Sequence, residues 1–228
     1  MKRAFIFDLD GTALDTTVPG FLKVNAALEQ MGLGPIRHDF LRRHWGKRIE
    51  DIMTLVLLEL GANAERVPEM LKYEAQYDEN AVHGYVNTVG LEEVLVQARQ
   101  AETYLALVTS RKKDHLKAIT SKLGFCLSHF DYVQAADEHQ FFKPDARVFD
   151  PALSQARIHG ISPNNIYCFG DTIDYDLAAA RACCPPLNFV AVASGINTPE
   201  EFLAAGVQPE AIIPGVKALP EFIMTLLS

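Results

Sequence analysis

Two patterns of apolar and polar residues divide this chain near residue 90. After that point, short apolar runs recur between segments whose apolar residues are three or four positions apart. The runs predict strands and the segments between them predict amphipathic helices. The predicted strands are 3–8, 104–108, 132–133, 166–169, 189–192 and 211–213, and the predicted helices between and after them are 91–100, 114–123, 146–159, 175–183, 200–204 and 216–227. Such alternation is typical of a parallel sheet with helices on both faces.

Residues 18–85 show the helical period alone. One apolar series runs from Phe21 to Met31, a second from Ile49 through either Leu55 or Val56, and a third begins at Val67. We therefore predict a helical domain, residues 16–87, inserted into an α/β domain formed by residues 1–15 and 88–228.

Composition narrows the class of protein. The chain has 228 residues, of which 49% are hydrophobic and 22% charged, with a formal charge of −8. This acidic balance disfavours a surface that coats nucleic acid, which would carry a basic excess. No apolar run approaches the roughly 18 residues of a membrane span. The four cysteines include no C-x-x-C pair, and the apolar run after the N-terminus is too short for a secretion signal, so we expect a cytoplasmic protein.

Two aspartates follow the first predicted strand. Asp8 and Asp10 flank one leucine and precede Gly11. Because ligands of open α/β sheets bind beyond the carboxyl ends of the strands, both carboxylates are predicted at the mouth of a site. Burying two carboxylates this close is costly unless a cation joins them. An Asp-Gly pair is also an ordinary turn signal, so these residues alone allow both interpretations.

Polar residues follow two further predicted strands. Thr109 and Ser110 come directly after strand 104–108, where hydroxyl groups either bind a ligand or cap the next helix. Lys143 comes some residues after strand 132–133, between an aromatic pair and a proline. That setting is unusual for a solvated lysine, so we consider Lys143 a candidate site cation.

Three aspartates lie after strand 166–169. Asp171, Asp174 and Asp176 begin a predicted helix, where acids interact favourably with the helix dipole. Their number exceeds what capping needs, and Asp171 repeats the strand-end placement of Asp8. The sequence leaves open whether Asp174 or Asp176 is the second functional acid.

Together these motifs resemble those of the haloacid dehalogenase-like (HAD) phosphohydrolase superfamily. The residues that match its four motifs are Asp8, Asp10 and Thr12 in D-x-D-x-T, then Thr109, then Lys143 in K-P-x-x-x-x-F, and finally Asp171 with Asp176. The chain most resembles the C1-capped, phosphoglycolate phosphatase-like branch. The resemblance implies a Rossmann-like core with an inserted helical cap.

The same resemblance implies a Mg²⁺-dependent phosphatase that acts on a small phosphorylated metabolite, not on nucleic acid or a membrane. Asp8 would form an aspartyl-phosphate, and Asp10 would protonate the leaving group and then activate water. Asp8, Asp171 and the backbone carbonyl of Asp10 would hold the metal, with Asp176 acting through water or by orienting Lys143. The residues implied on the substrate side are Thr109 and Lys143 at the phosphoryl oxygens, with Gly11, Thr12, Ser110 and Arg111 around them.

A basic cluster, residues 42–48, stands out within the inserted segment. In C1-capped relatives, a loop near this place reaches the active site. Lys47 or Arg48 would then grip an anionic part of the substrate. The alternative is a solvated helix end, where cations favour the C-terminus.

Two other functions compete with hydrolysis. A sugar-phosphate mutase of the same superfamily would use the same residues and differs in its product. A catalytically inactive binding module is disfavoured, because it has no physical reason to keep the clustered acids. Asp10 argues against a dehalogenase, since the dehalogenases lack an acid there.

Overall fold

The structure, a computed structural model, describes residues 2–77, 86–87, 89–194 and 196–228. The chain forms two compact units, Met1–Asp15 with Val86–Ser228, and Thr16–Tyr85. The second boundary falls at residue 86 because a short strand there pairs with Leu14–Asp15.

The first unit contains a six-stranded parallel sheet and one antiparallel strand pair. The strands are β1 (Ala4–Phe7), β2 (Leu14–Asp15), β3 (Val86–Asn87), β4 (Tyr104–Val108), β5 (Tyr132–Gln134), β6 (Ile166–Gly170), β7 (Asn188–Val192) and β8 (Ile212–Ile213). The sheet order is β5-β4-β1-β6-β7-β8, and β2 pairs with β3. Every residue of β1 and β4 is buried, as expected for parallel strands covered on both faces. The predicted α/β class with a Rossmann-like core is confirmed.

Helices follow the strands of the first unit and form all the regular structure described in the second. They are α1 (Thr17–Gln30), α2 (His38–His44), α3 (Ile49–Glu59), α4 (Val67–Gln76), α5 (Leu91–Gln100), α6 (Lys113–Leu123), α7 (Asp150–Ile158), α8 (Ala178–Ala182), α9 (Pro199–Ala204) and α10 (Leu219–Leu227). Among the described residues, no helix combines the length and the apolar character that crossing a membrane requires.

The second unit, α1 to α4, has an apolar core of its own. Helix α1 buries Phe21, Val24 and Leu28 at the predicted spacing. In α3 the buried position is Val56, which decides between the two alternatives of the sequence. The same apolar series continues in sequence to either Leu58 or Leu60, and of these Leu58 is 57% exposed.

Several predicted boundaries shift because local turns precede the regular helices. The predicted helix 146–159 begins with a 3₁₀ turn, Ala146–Phe149, and 216–227 begins with another, Val216–Ala218. The predicted helix 175–183 begins with a single π-helical turn, Ile173–Leu177. Strands β2 and β3 were not predicted. Two-residue strands carry no period, and only their pairing across the chain defines them.

Candidate active site

The central strands β1 and β6 bring two aspartates to one edge of the sheet. Phe7 is paired with Phe169, and their rings stack with centroids 4.6 Å apart. The next residue, Asp8, donates its backbone N–H to the Phe169 carbonyl at 3.0 Å. Asp171 follows Gly170, the last residue of β6. The two acids therefore emerge side by side, where the order of strands reverses around β1.

The loop after β1 closes tightly against Asp171. Leu14 donates its backbone N–H to the Leu9 carbonyl at 2.9 Å, and Gly11 donates to the Leu14 carbonyl at 2.8 Å. Gly11 has a φ of 70°, and a Cβ built on it would lie 2.2 Å from Oδ2 of Asp171. Glycine is thus required here for both its backbone conformation and the close approach.

Lys143 forms a buried ion pair with two carboxylates. Its Nζ donates to Oδ1 of Asp8 and to Oδ1 of Asp176, each at 2.7 Å. Burial alone would lower the pKa of Lys143, but the charges of Asp176 and Asp8 outweigh it and raise that pKa above its ordinary value. The lysine is therefore a permanent cation between the two acids.

Asp176 is tied into the turn that precedes α8. Its Oδ2 accepts hydrogen bonds from the hydroxyl and the backbone N–H of Thr172. Gly170 permits this arrangement, since a Cβ there would lie 2.4 Å from the Cβ of Asp176. Asp174, the alternative acid, is exposed. The structure thus brings Asp176, and not Asp174, next to Lys143.

Three buried carboxylates form a group that could hold a metal ion. Asp8, Asp171 and Asp176 each offer an oxygen, and these atoms lie within 4.8 Å of one another. Burial raises the pKa of Asp8 to about 7, against the opposing charge of Lys143. Burial also raises the pKa of Asp171 well above its ordinary value, and Asp176 and Asp8 add to that rise.

The charge and chemistry of this group suit a hard divalent cation. Three carboxylates face the single ammonium of Lys143, and burial raises the pKa values of Asp8 and Asp171, so a further positive charge would offset the cost of burying these acids in their ionised form. Carboxylate oxygens are the ligands that Mg²⁺ prefers. Ser194 also contributes a hydroxyl, whose Oγ donates to Oδ2 of Asp171 at 3.4 Å.

Asp10 forms a hydrogen-bonded ion pair with Arg111. The Nε of Arg111 donates to Oδ1 and Oδ2 of Asp10 at 3.0 and 2.7 Å, and Nη2 donates to Oδ1 at 2.7 Å. The backbone N–H of Arg111 in turn donates to Oγ1 of Thr109 at 3.1 Å. The structure therefore joins three predicted site residues in one hydrogen-bonded chain.

The remaining predicted residues lie in different settings. Thr12 is fully buried, and its hydroxyl has no hydrogen-bond partner within the described part of the chain. Ser110 is half-buried in the loop after β4. Lys47 and Arg48 belong to the second unit, where Arg48 pairs with Asp51 at 3.0 Å. The assignment of these four residues to a substrate stays a prediction.

Sequence reasoning missed two residues that orient the acids. Thr172 holds Asp176, and Ser194 contacts Asp171. Ser194 lies two residues beyond the end of β7, so the strand-end rule that identified Asp8 could have found it. The hydroxyl of Thr172 looks in sequence like an ordinary helix cap, which conceals its contact with Asp176.

Comparison with known proteins agrees with this geometry. The sequence profile of the family described as haloacid dehalogenase-like hydrolase matches residues 5–186. The phosphoglycolate phosphatase of Xanthomonas campestris pv. campestris is 33% identical over 187 residues, which cover 81% of this chain and 80% of that protein.

Solved structures share the fold. A hydrolase from Pseudomonas syringae superposes with a TM-score of 0.76 at 23% identity, covering 99% of this chain and 100% of its own. A putative β-phosphoglucomutase from Thermotoga maritima superposes with a TM-score of 0.70 at 21% identity, covering 99% of this chain and 98% of its own. At these identities the likeness concerns the fold.

Proposed function

The chain belongs to the haloacid dehalogenase-like hydrolase family, and we propose that it is a Mg²⁺-dependent phosphatase acting on a small phosphorylated metabolite. One observation carries the proposal: Asp8, Asp171 and Asp176 lie buried together beside Lys143. The similarity to phosphoglycolate phosphatases supports the same reaction class and makes a small anionic phosphate monoester the first substrate to test.

The proposed metal site uses Asp8, Asp171 and the backbone carbonyl of Asp10. Bound Mg²⁺ would supply positive charge that neutralises the phosphoryl oxygens as the bond to the leaving group breaks. Lys143 is proposed to be a fixed cation for the phosphoryl oxygens, and Asp176 would orient it through their 2.7 Å ion pair. Thr109, buried at the end of β4, is proposed to donate its hydroxyl to a phosphoryl oxygen.

The proposed reaction has two steps. A carboxylate oxygen of Asp8 attacks phosphorus, the ester P–O bond breaks, and the leaving oxygen takes a proton from Asp10. Asp10 then takes a proton from water as that water attacks phosphorus, which releases phosphate and restores the Asp8 carboxylate. Both steps depend mainly on positioning and charge neutralisation, as phosphoryl transfer generally does.

The inserted helical unit is proposed to act as a C1-type cap. Its basic cluster, residues 42–48, is the densest in an acidic chain. A second anionic group on the substrate would pair with Lys47 or Arg48. Such a pairing would favour closure of the cap when the true substrate binds, and closure would exclude water from the reaction.

The test is release of phosphate from a panel of phosphorylated metabolites and an aryl phosphate, with Mg²⁺ and with a chelator. Asp8→Asn should abolish turnover with the fold intact, since it removes the nucleophile at almost unchanged volume. Asp174→Asn is the matched control, because this exposed acid lies in the same motif as Asp171. Activity unchanged in excess chelator, or retained in Asp8→Asn, contradicts the proposal. An isomerised sugar phosphate without released phosphate would instead identify a mutase.

A further inference from the structure

Arg111 links a distant part of the chain to the carboxylate of Asp10. The two residues are 101 positions apart, and the guanidinium reaches both carboxylate oxygens through Nε and Nη2. A planar guanidinium on a carboxylate fixes the plane of the acid as well as its position. A lysine at residue 111 would supply positive charge but would not fix the plane of the carboxylate.

The backbone of Arg111 is held in place by two hydrogen bonds. Its backbone N–H donates to Oγ1 of Thr109 at 3.1 Å, and its carbonyl accepts from the backbone N–H of Ala136 at 2.8 Å. The side chains of Arg111 and Asp10 are 20% and 22% exposed, so solvent screens this pair only in part. The geometry of Asp10 is therefore determined by the loop after β4 and not by its own loop alone.

We propose that Arg111 is a positioning residue for Asp10. It holds the Asp10 carboxyl group in the orientation from which its proton passes to the leaving oxygen. This inference rests on the proposed function, in which Asp10 transfers that proton. The Arg111 N–H groups make three hydrogen bonds to the Asp10 oxygens, which offer about four lone-pair positions, so room remains for the proton that Asp10 carries and donates to the leaving oxygen.

A positioning role and a substrate-binding role predict different kinetics. If Arg111 gripped the phosphate, its loss would raise KM for every phosphate ester alike. If it positions Asp10, its loss acts on protonation of the leaving oxygen. An alkyl leaving group requires that proton far more than a nitrophenyl group does.

The experiment compares kcat/KM for an alkyl phosphate and for 4-nitrophenyl phosphate, with saturating Mg²⁺. For Arg111→Ala we expect kcat/KM to fall about 10²-fold on the alkyl ester, the size of effect that a misplaced catalytic group produces. The aryl ester should lose much less, and KM should change little for both. Arg111→Lys should restore part of the alkyl activity, and millimolar guanidinium should partly rescue Arg111→Ala.

Two controls separate the outcomes. Lys113→Ala removes an exposed cation at the first residue of α6, one that pairs with Glu138, and should not change the alkyl-to-aryl ratio. In an Asp10→Asn background, Arg111→Ala should no longer change that ratio. Thermal unfolding of each variant verifies that it is folded.

Three results overturn the inference while the wild type remains an active phosphatase. They are equal losses on both esters with a raised KM, an unchanged ratio in Arg111→Ala, and a change of ratio that persists in Asp10→Asn. A wild-type protein that releases no phosphate from either ester overturns the proposed function, and this inference with it.

Discussion

Gly11 and Asp171 are in such close contact that no side chain fits between them. A Cβ on Gly11 would lie 2.2 Å from Oδ2 of Asp171, and the φ of Gly11 is 70°. Gly11→Ala must therefore displace the carboxylate proposed to bind Mg²⁺. We expect this variant to need a higher Mg²⁺ concentration and to lose at least about tenfold in activity at limiting metal, as for the loss of one bond to a charged group.

Gly124→Ala is the matched control for backbone strain. Gly124 has a φ of 67°, and a Cβ there would meet nothing within 4 Å. Both alanine variants should lose stability by about 1–2 kcal/mol from the left-handed conformation. Only Gly11→Ala should change the Mg²⁺ dependence of activity; an equal change in Gly124→Ala would contradict the proposed role of Asp171.

Lys143 is expected to hold the buried acids together as well as to serve the reaction. Lys143→Met removes the ammonium from between Asp8 and Asp176 at similar length. Breaking such a buried pair typically costs about 3–5 kcal/mol, so urea unfolding at neutral pH without metal should show a large loss. Lys113→Met, which removes an exposed lysine, should unfold close to the wild-type midpoint. A similar midpoint for both variants would mean that Lys143 does not stabilise the site.

The metal-free protein should lose stability as the pH rises towards neutrality. Burial raises the pKa of Asp8 to about 7 in the folded state, and raises that of Asp171 in the same direction. Between an unfolded value of about 4 and that folded value, the folded state binds more protons than the unfolded state. The free energy of unfolding therefore falls as pH rises through this window, and the contribution of Asp8 to this loss is complete above it.

Thermal unfolding with a chelator, from mildly acidic to mildly alkaline pH, checks this dependence. Asp8→Asn should flatten the decline because it removes one of the titrating groups. Added Mg²⁺ should stabilise the wild type increasingly as pH rises, since it binds the ionised carboxylates. If the thermal unfolding midpoint instead rose with pH, and by the same amount in the wild type and in Asp8→Asn, Asp8 would not be a buried acid with a raised pKa.

Lys47 and Arg48 are expected to set specificity and not the rate of chemistry. For a phosphate ester with a second anionic group, Lys47→Ala and Arg48→Ala should lower kcat/KM by about tenfold, as for a lost bond to a charged group. An aryl phosphate without that group should react almost as before. Arg37→Ala, which removes another exposed arginine of the same unit, is the control. Equal effects on both substrates, or none, would assign the cluster to the solvated surface.

The sequence by itself determined the succession along the chain of the six strands of the parallel sheet and of the helices between them, and the placement of Asp8 and Asp171 after two of those strands. Both depend on local information: the period of apolar residues, and the rule that parallel strands end at a common edge. The family resemblance carried by these motifs is confirmed by the matching profile over residues 5–186. The chemical roles of the individual residues stay predictions.

Only the tertiary structure decided which side chains meet. Asp174 and Asp176 are equivalent acids in sequence, yet one is exposed and the other is buried against Lys143. The pair of Asp10 with Arg111 spans 101 positions, and no local pattern encodes it. Such contacts depend on the register of neighbouring strands and on loops that close across the sheet edge. A period of two or 3.6 residues predicts an element, but not its partner.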